Sequence, residues 1–307
     1  MSERSNPGRH PRRDVVAAAS AAAGASPAAA TPTAIAQAAA AGPGPKRLHR
    51  PHAPTIAFDD VGAGDTALLF TPGWCVSRKV FASLPGRCAG QYRVIAPDWR
   101  GHGASGAATG DFGGDELVQD LVDLIAATGI RRVVPVALAH SGWVALELRR
   151  RLGATIDRVV LVDWLVAEPP PPFADALDAL QDPRRWQNAR DALFAAWVRG
   201  VGRPELESFI YRDMGEYDFG MWSRAGREIA RAYATHRSPL HALASLDRPL
   251  PVLHLYAQPE DADFLALQNR YARTHPWFRV RKLEARSHFP MFEVPAEMAA
   301  AIIGFAA

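Results

Sequence analysis

From Thr55 onward, short runs rich in β-branched and aromatic residues alternate with stretches of helical periodicity, and few folds accommodate that order. Parallel neighbours need crossovers long enough to hold a helix, so the pattern predicts an α/β architecture, a mainly parallel sheet with helices on both faces. Residues 67–70, 92–96, 133–137, 158–162, 252–256 and 278–283 are bounded by turn signals and read as buried strands. Between them, Leu117, Val118, Leu121, Val122, Leu124 and Ile125 share one face at helical spacing, with Gly129 as the stop. Residues 143–152 repeat that pattern. From about 168 to 249 a proline run followed by tryptophan-containing helical segments interrupts the alternation, as a helical cap inserted after the sixth strand would.

The first 52 residues have a different character. Their arginines, alanine runs and scattered Pro and Gly cannot pack a core, so the folded domain is expected over 53–307. Arg12-Arg13 precedes a small-residue apolar stretch ending at Ala34-Ile35-Ala36, the order of a twin-arginine export signal, which predicts an exported, periplasmic protein. A basic alanine-rich tail on a cytoplasmic protein is the other reading. The net charge of +3 resides mostly in this segment: without residues 1–36, 31 basic residues face 30 acidic ones. A nucleic-acid partner is therefore not expected. Nor is a membrane span, because no apolar run approaches the ~20 residues required. Cys75 and Cys88 lack metal-ligand spacing and read as free thiols, with a disulfide open to an exported protein.

Chemistry concentrates at the ends of the predicted strands. Asp98-Trp99-Arg100-Gly101-His102-Gly103-Ala104-Ser105 resembles the Asp-x-Arg-Gly-x-Gly-x-Ser loop of α/β-hydrolases, and Pro72-Gly73-Trp74 stands where that fold places its oxyanion turn. The resemblance implies an α/β-hydrolase fold. At the next strand-to-helix junction lies Val136-Ala137-Leu138-Ala139-His140-Ser141-Gly142-Trp143, where a nucleophile elbow needs small residues two before and two after its centre. Ala137 and Ser141 satisfy that rule around Ala139, which has no atom able to attack a carbonyl. Taking Ser141 as the nucleophile instead would put Trp143 where a small residue is required. In the preferred register Ser141 packs, and His140 contributes its backbone N–H to an anion hole. His288 follows the last predicted strand, where this fold delivers its general base. The acid that orients it is either Asp163, directly after a buried strand, or one of Glu260, Asp261 and Asp263. Asp163 is preferred, since the others form a charged run typical of a solvated loop.

From Leu69 to the C-terminus the chain also resembles the cofactor-free quinolone dioxygenases, which open 3-hydroxy-4(1H)-quinolone rings with O2 and release carbon monoxide. The likeness rests on Pro72-Gly73-Trp74-Cys75, Asp98-Trp99-Arg100-Gly101-His102-Gly103, His140 with Gly142-Trp143, Asp163-Trp164-Leu165, Leu193-Phe194 with Trp197, Gln258-Pro259, His275-Pro276-Trp277-Phe278 and His288-Phe289-Pro290. It implies His288 as base, Asp163 as its acid, the backbone N–H groups of Trp74 and His140 as anion hole, and Trp197 lining the substrate cavity. Ala139, Val76 and Trp164 are expected against the substrate. Two departures stand out: the family usually has serine where this chain has Ala139 and histidine where it has Val76. Leu138 replaces a further family histidine.

The chemistry implied needs no cofactor and no metal, only a flat aromatic substrate and O2. Triplet oxygen reacts slowly with closed-shell molecules unless the substrate is an electron-rich anion, and a well-placed base generates one. No spacing of a non-haem iron site is evident. Two other functions compete: a hydrolase or C–C lyase using Ser141 or activated water, and a non-catalytic protein that binds an aromatic ligand.

Overall fold

The computed structural model describes residues 44–307; the export signal expected within 1–36 lies outside them. Eight strands form one sheet: β1 Lys46–Arg50, β2 Ala53–Val61, β3 Thr66–Thr71, β4 Arg93–Pro97, β5 Arg132–Leu138, β6 Val159–Val162, β7 Val252–Tyr256 and β8 Phe278–Lys282. Their order is β1-β2-β4-β3-β5-β6-β7-β8. From β4 to β8 every pairing is parallel, whereas β1 and β2 join antiparallel at one edge. All residues of β6 and β7, and of β5 after its first, are buried. That is the pattern of strands covered on both faces, which is why they read as unbroken apolar runs.

The helices are α1 Pro85–Cys88, α2 Gly114–Thr128, α3 Ser141–Leu152, α4 Pro171–Leu180, α5 Trp186–Val198, α6 Pro204–Ser208, α7 Phe219–His236, α8 Pro239–Ala244, α9 Ala262–Thr274 and α10 Pro295–Ala306. Helix α2 buries Leu117, Val118, Leu121, Leu124 and Ile125 and ends at Gly129, whose φ is +66°. Helices α4 to α8, with a π-helical turn at Phe209–Met214, lie between β6 and β7 and form the expected cap. Cys75 and Cys88 are both free and buried. Among the described residues no helix is long and apolar enough to cross a membrane.

The folded domain starts earlier than the sequence suggests. Lys46–Arg50, assigned to the linker, is an edge strand paired to β2 through Lys46↔Phe58, Arg47↔Ala57 and Leu48↔Ile56. Its sequence, KRLHR, is polar and mostly exposed, so hydrophobic periodicity could not reveal it; backbone pairing holds it in place.

Beyond β4, the motif that signalled the fold wraps around a buried charge. Asp98 is fully buried and accepts hydrogen bonds from the backbone N–H groups of Arg78 (2.7 Å) and Ala104 (2.8 Å), and its carboxylate pairs with the Arg78 guanidinium. Gly103 (φ +52°) cannot be replaced, because a Cβ there would lie 2.4 Å from the Asp98 carboxylate. Arg78→Met leaves that carboxylate buried without its cation and is expected to lower stability by about 3 kcal/mol, measured by urea unfolding.

Candidate active site

Strand β3 separates β4 from β5, so the chain reverses its winding there, and loops at the carboxyl ends diverge into a crevice. Three non-glycine residues at these ends adopt left-handed backbone conformations: Cys75 after β3 (φ +57°), Ala139 after β5 (φ +49°) and Asp163 after β6 (φ +47°). Each costs about 1–2 kcal/mol of local strain, and such strain gathers where side chains must be aimed at a site.

Asp163 is 2% exposed. Its Oδ1 accepts the backbone N–H groups of Ala257 (2.7 Å) and Gln258 (2.9 Å), and its Oδ2 lies 2.9 Å from His288 Nδ1. A carboxylate only accepts, so the histidine donates from Nδ1 and presents the lone pair of Nε2. Of the other carboxylates weighed for this role, Asp261 accepts from Asp263 N–H at the start of α9, and Glu260 and Asp263 are exposed. Trp197, from α5 of the cap, stacks on the His288 ring with centroids 4.9 Å apart and planes at 19°. Its carbonyl also accepts the His288 backbone N–H (3.4 Å).

His288 faces a cavity of about 790 Å³ between the sheet and the cap. Trp74, Val76, Ala139, His140 and Trp197, the residues the sequence reading placed at the site, line it together with Leu138. The elbow is formed without its nucleophile: Ala139 N–H bonds Val162 O (2.8 Å), and Gly142 N–H bonds Ala139 O (3.0 Å) to start α3. Among the described residues no backbone acceptor takes the N–H of Trp74 or of His140, and both belong to residues in the cavity wall. The cap contributes apolar wall residues, among them Phe173, Leu177, Leu180, Met214, Trp222 and Ile229.

One sequence assignment changes. Trp164 does not line the cavity. It is fully buried behind the wall, edge-on to Trp143 with centroids 4.8 Å apart, because Gly142 leaves room for its ring: a Cβ on that glycine would lie 2.3 Å from the indole. Its Nε1–H donates to His140 Nδ1 (3.2 Å). Ser141, the alternative nucleophile, points into the core: its Oγ donates to Thr71 O or Leu138 O, each at 2.9 Å, and lies 3.1 Å from Thr71 Oγ1.

Sequence reading missed several supports. His102 Nε2 accepts the Cys75 N–H (3.0 Å), and Trp99 Nε1–H donates to Pro72 O (2.7 Å), so the Asp98 loop braces the turn that carries Trp74. Burial lowers His102 to about 4, keeping its ring neutral and able to accept. Glu293 accepts from Ser287 N–H (2.8 Å) and Ser287 Oγ–H (2.6 Å), anchoring the loop before His288. Gln258 Nε2–H₂ donates to Arg286 O (2.7 Å) and Ala196 O (3.3 Å), tying that loop to the cap. Under Asp163, His254 accepts Trp164 N–H (3.3 Å) and donates to Gln268 Oε1 (2.5 Å); burial lowers it to about 4. A histidine within the otherwise apolar run of β7 was its only sequence signal.

Sheet order, elbow, cap and post-β8 histidine define an α/β-hydrolase-type protein, and the alpha/beta hydrolase family model matches residues 68–301. Within that class, a 2-heptyl-3-hydroxy-4(1H)-quinolone dioxygenase of Mycobacteroides abscessus is 36% identical over 250 residues, covering 81% of this chain and 93% of that protein. A 1H-3-hydroxy-4-oxoquinoline 2,4-dioxygenase of Pseudomonas putida is 35% identical over 256 residues, covering 83% and 92%. A solved enzyme that recognises and cleaves the ring of the Pseudomonas quinolone signal, in complex with its product, superposes with a TM-score of 0.80 at 34% identity, covering 85% of this chain and 99% of that one. The chain belongs to the 3-hydroxy-4-quinolone 2,4-dioxygenase family, ring-cleaving oxidoreductases on an α/β-hydrolase scaffold.

Because Ser141 is bonded into the core, Ser141→Ala is expected to keep turnover within about 2-fold while lowering stability by about 1 kcal/mol. Steady-state rates and urea unfolding of the same preparation check both.

Proposed function

We propose that this protein uses O2 to open the nitrogen-containing ring of a 2-alkyl-3-hydroxy-4(1H)-quinolone, releasing carbon monoxide and an N-acylanthranilate. The carrying observation is a base without a nucleophile: His288 is oriented by Asp163 at 2.9 Å, while alanine occupies the elbow. Acyl transfer to the protein needs an attacking side chain; proton abstraction does not.

His288 Nε2 takes the proton of the 3-hydroxyl, and Asp163 stabilises the imidazolium. The resulting anion spreads its charge over the 3- and 4-oxygens, where the N–H groups of Trp74 and His140 can meet it. The anion transfers one electron to O2, and the radical pair joins at C2 to give a peroxide anion. Attack of its terminal oxygen on C4 closes a 2,4-endoperoxide. Cleavage of the O–O bond and of the two ring bonds to C3 expels that carbon with its oxygen as carbon monoxide. One atom of O2 remains at C2 as the amide oxygen and the other at C4 in the carboxylate.

The cavity also favours an alkyl-bearing ring. The wall residues Phe173, Leu177, Leu180, Met214, Trp222 and Ile229 from the cap are aliphatic and aromatic, so each tail methylene buried against them contributes about 0.8 kcal/mol. The hydrolase alternative loses its side-chain nucleophile, since Ser141 Oγ is bonded to Thr71 and Leu138 carbonyls in the core.

With 2-heptyl-3-hydroxy-4(1H)-quinolone under air, oxygen uptake and carbon monoxide release are expected in equal amounts, with neither under argon. No oxygen consumption would sink this assignment. Asp163→Asn is expected to lower the rate by about 10²- to 10⁴-fold with the fold intact, because an amide no longer imposes the Nδ1–H tautomer or stabilises the cation. Rates are read with the circular dichroism spectrum of each variant.

A further inference from the structure

We infer that the side chain of His140 donates, through Nε2–H, the substrate-directed hydrogen bond that Ala139 cannot make, and that Trp164 is the residue positioning it. The role rests on the dioxygenase reading above, since it assigns the bond to the C4 oxygen of the 3-hydroxy-4-oxo pair.

An indole nitrogen has no acceptor lone pair, so the Trp164 Nε1–H contact at 3.2 Å requires an unprotonated His140 Nδ1. Neutral imidazole then carries its proton on Nε2. Burial, reinforced by the nearby His288, lowers His140 to about 3, so the ring stays neutral and cannot compete as a base. Among the described residues Nδ1 makes the ring's only hydrogen bond, which leaves Nε2–H without a protein acceptor. The ring stands in the cavity wall directly after Ala139 and stacks on Phe173, another wall residue, with centroids 5.7 Å apart. Both pieces of this relay are packed into place. Gly142 admits the Trp164 indole, and Tyr233, whose hydroxyl donates to Leu165 O (2.6 Å), meets the His140 ring edge-on at 5.8 Å. Across the same wall Ala139, Val76 and Leu138 provide no side-chain donor. A neutral donor beside apolar side chains is worth most to an anion, so it strengthens as His288 removes the substrate proton.

Anaerobic binding separates this role from turnover. Wild type and His140→Leu are titrated with 2-heptyl-3-hydroxy-4(1H)-quinolone and with 2-heptyl-3-hydroxyquinoline, which lacks the C4 oxygen. The variant is expected to lose about 10- to 100-fold in affinity for the quinolone and less than about 2-fold for the analogue. Equal losses, or none, would overturn the assignment. The tautomer is read independently from ring ¹⁵N shifts, which should report Nε2–H in wild type and a mixture in Trp164→Phe, with weaker quinolone binding. A wild-type ring protonated on Nδ1 overturns the relay even if Trp164→Phe does not fold. Absence of oxygen uptake by wild type would instead sink the dioxygenase reading, so the two failures are distinguishable.

Discussion

The buried carboxylate of Asp163 is the constraint on which the site depends. A charge removed from water must find hydrogen-bond partners within the protein, and here they come from the ends of different parallel strands: two amides after β7 and the imidazole after β8. Satisfying Asp163 therefore sets how three strand ends approach one another. One of its donors, Gln258, extends the linkage through its side chain to Arg286 and to Ala196 in the cap. The base is precise because it completes the coordination of a charge that the fold could not otherwise hold.

Against that constraint the elbow takes on a different meaning from its counterpart in an esterase. The left-handed backbone at Ala139 persists although no nucleophile needs presenting, because the same turn aims the His140 amide and starts helix α3. With alanine at the elbow, that part of the cavity wall is apolar, which suits a flat ring. Bracing of the opposing turn by His102 and Trp99 serves the same end. Both amides are held by backbone geometry, so the elbow side chain can vary without displacing them.

Much of this was legible in the chain. Central strands announce themselves because burial on both faces demands apolar runs, and the cap is marked by the break in alternation. Asp163 and His288 were recognisable since this architecture delivers chemistry at carboxyl ends of strands. Edge strand β1 was not, because its polar residues satisfy only backbone pairing. Glu293, Gln258 and His102 were also invisible as supports: each acts on a loop brought near by folding, and their immediate neighbours carry no periodic signal of it. Trp164 was expected against the substrate from the family resemblance, whereas its ring turned inward beneath Gly142.

By itself, then, the order of residues determined the α/β-hydrolase scaffold, the vacancy at Ala139 and the candidacy of His288 and Asp163, since strand burial, small-residue spacing and position after a strand are local properties. Only the tertiary structure decided that Ser141 is a core residue, that Trp164 stands behind the wall, and which nitrogen of His140 carries its proton. These depend on contacts between segments distant in sequence: Thr71 with Ser141, and Trp164 with His140. Hydrogen-bond direction at such contacts follows from which atoms meet, and no spacing along the chain encodes that meeting.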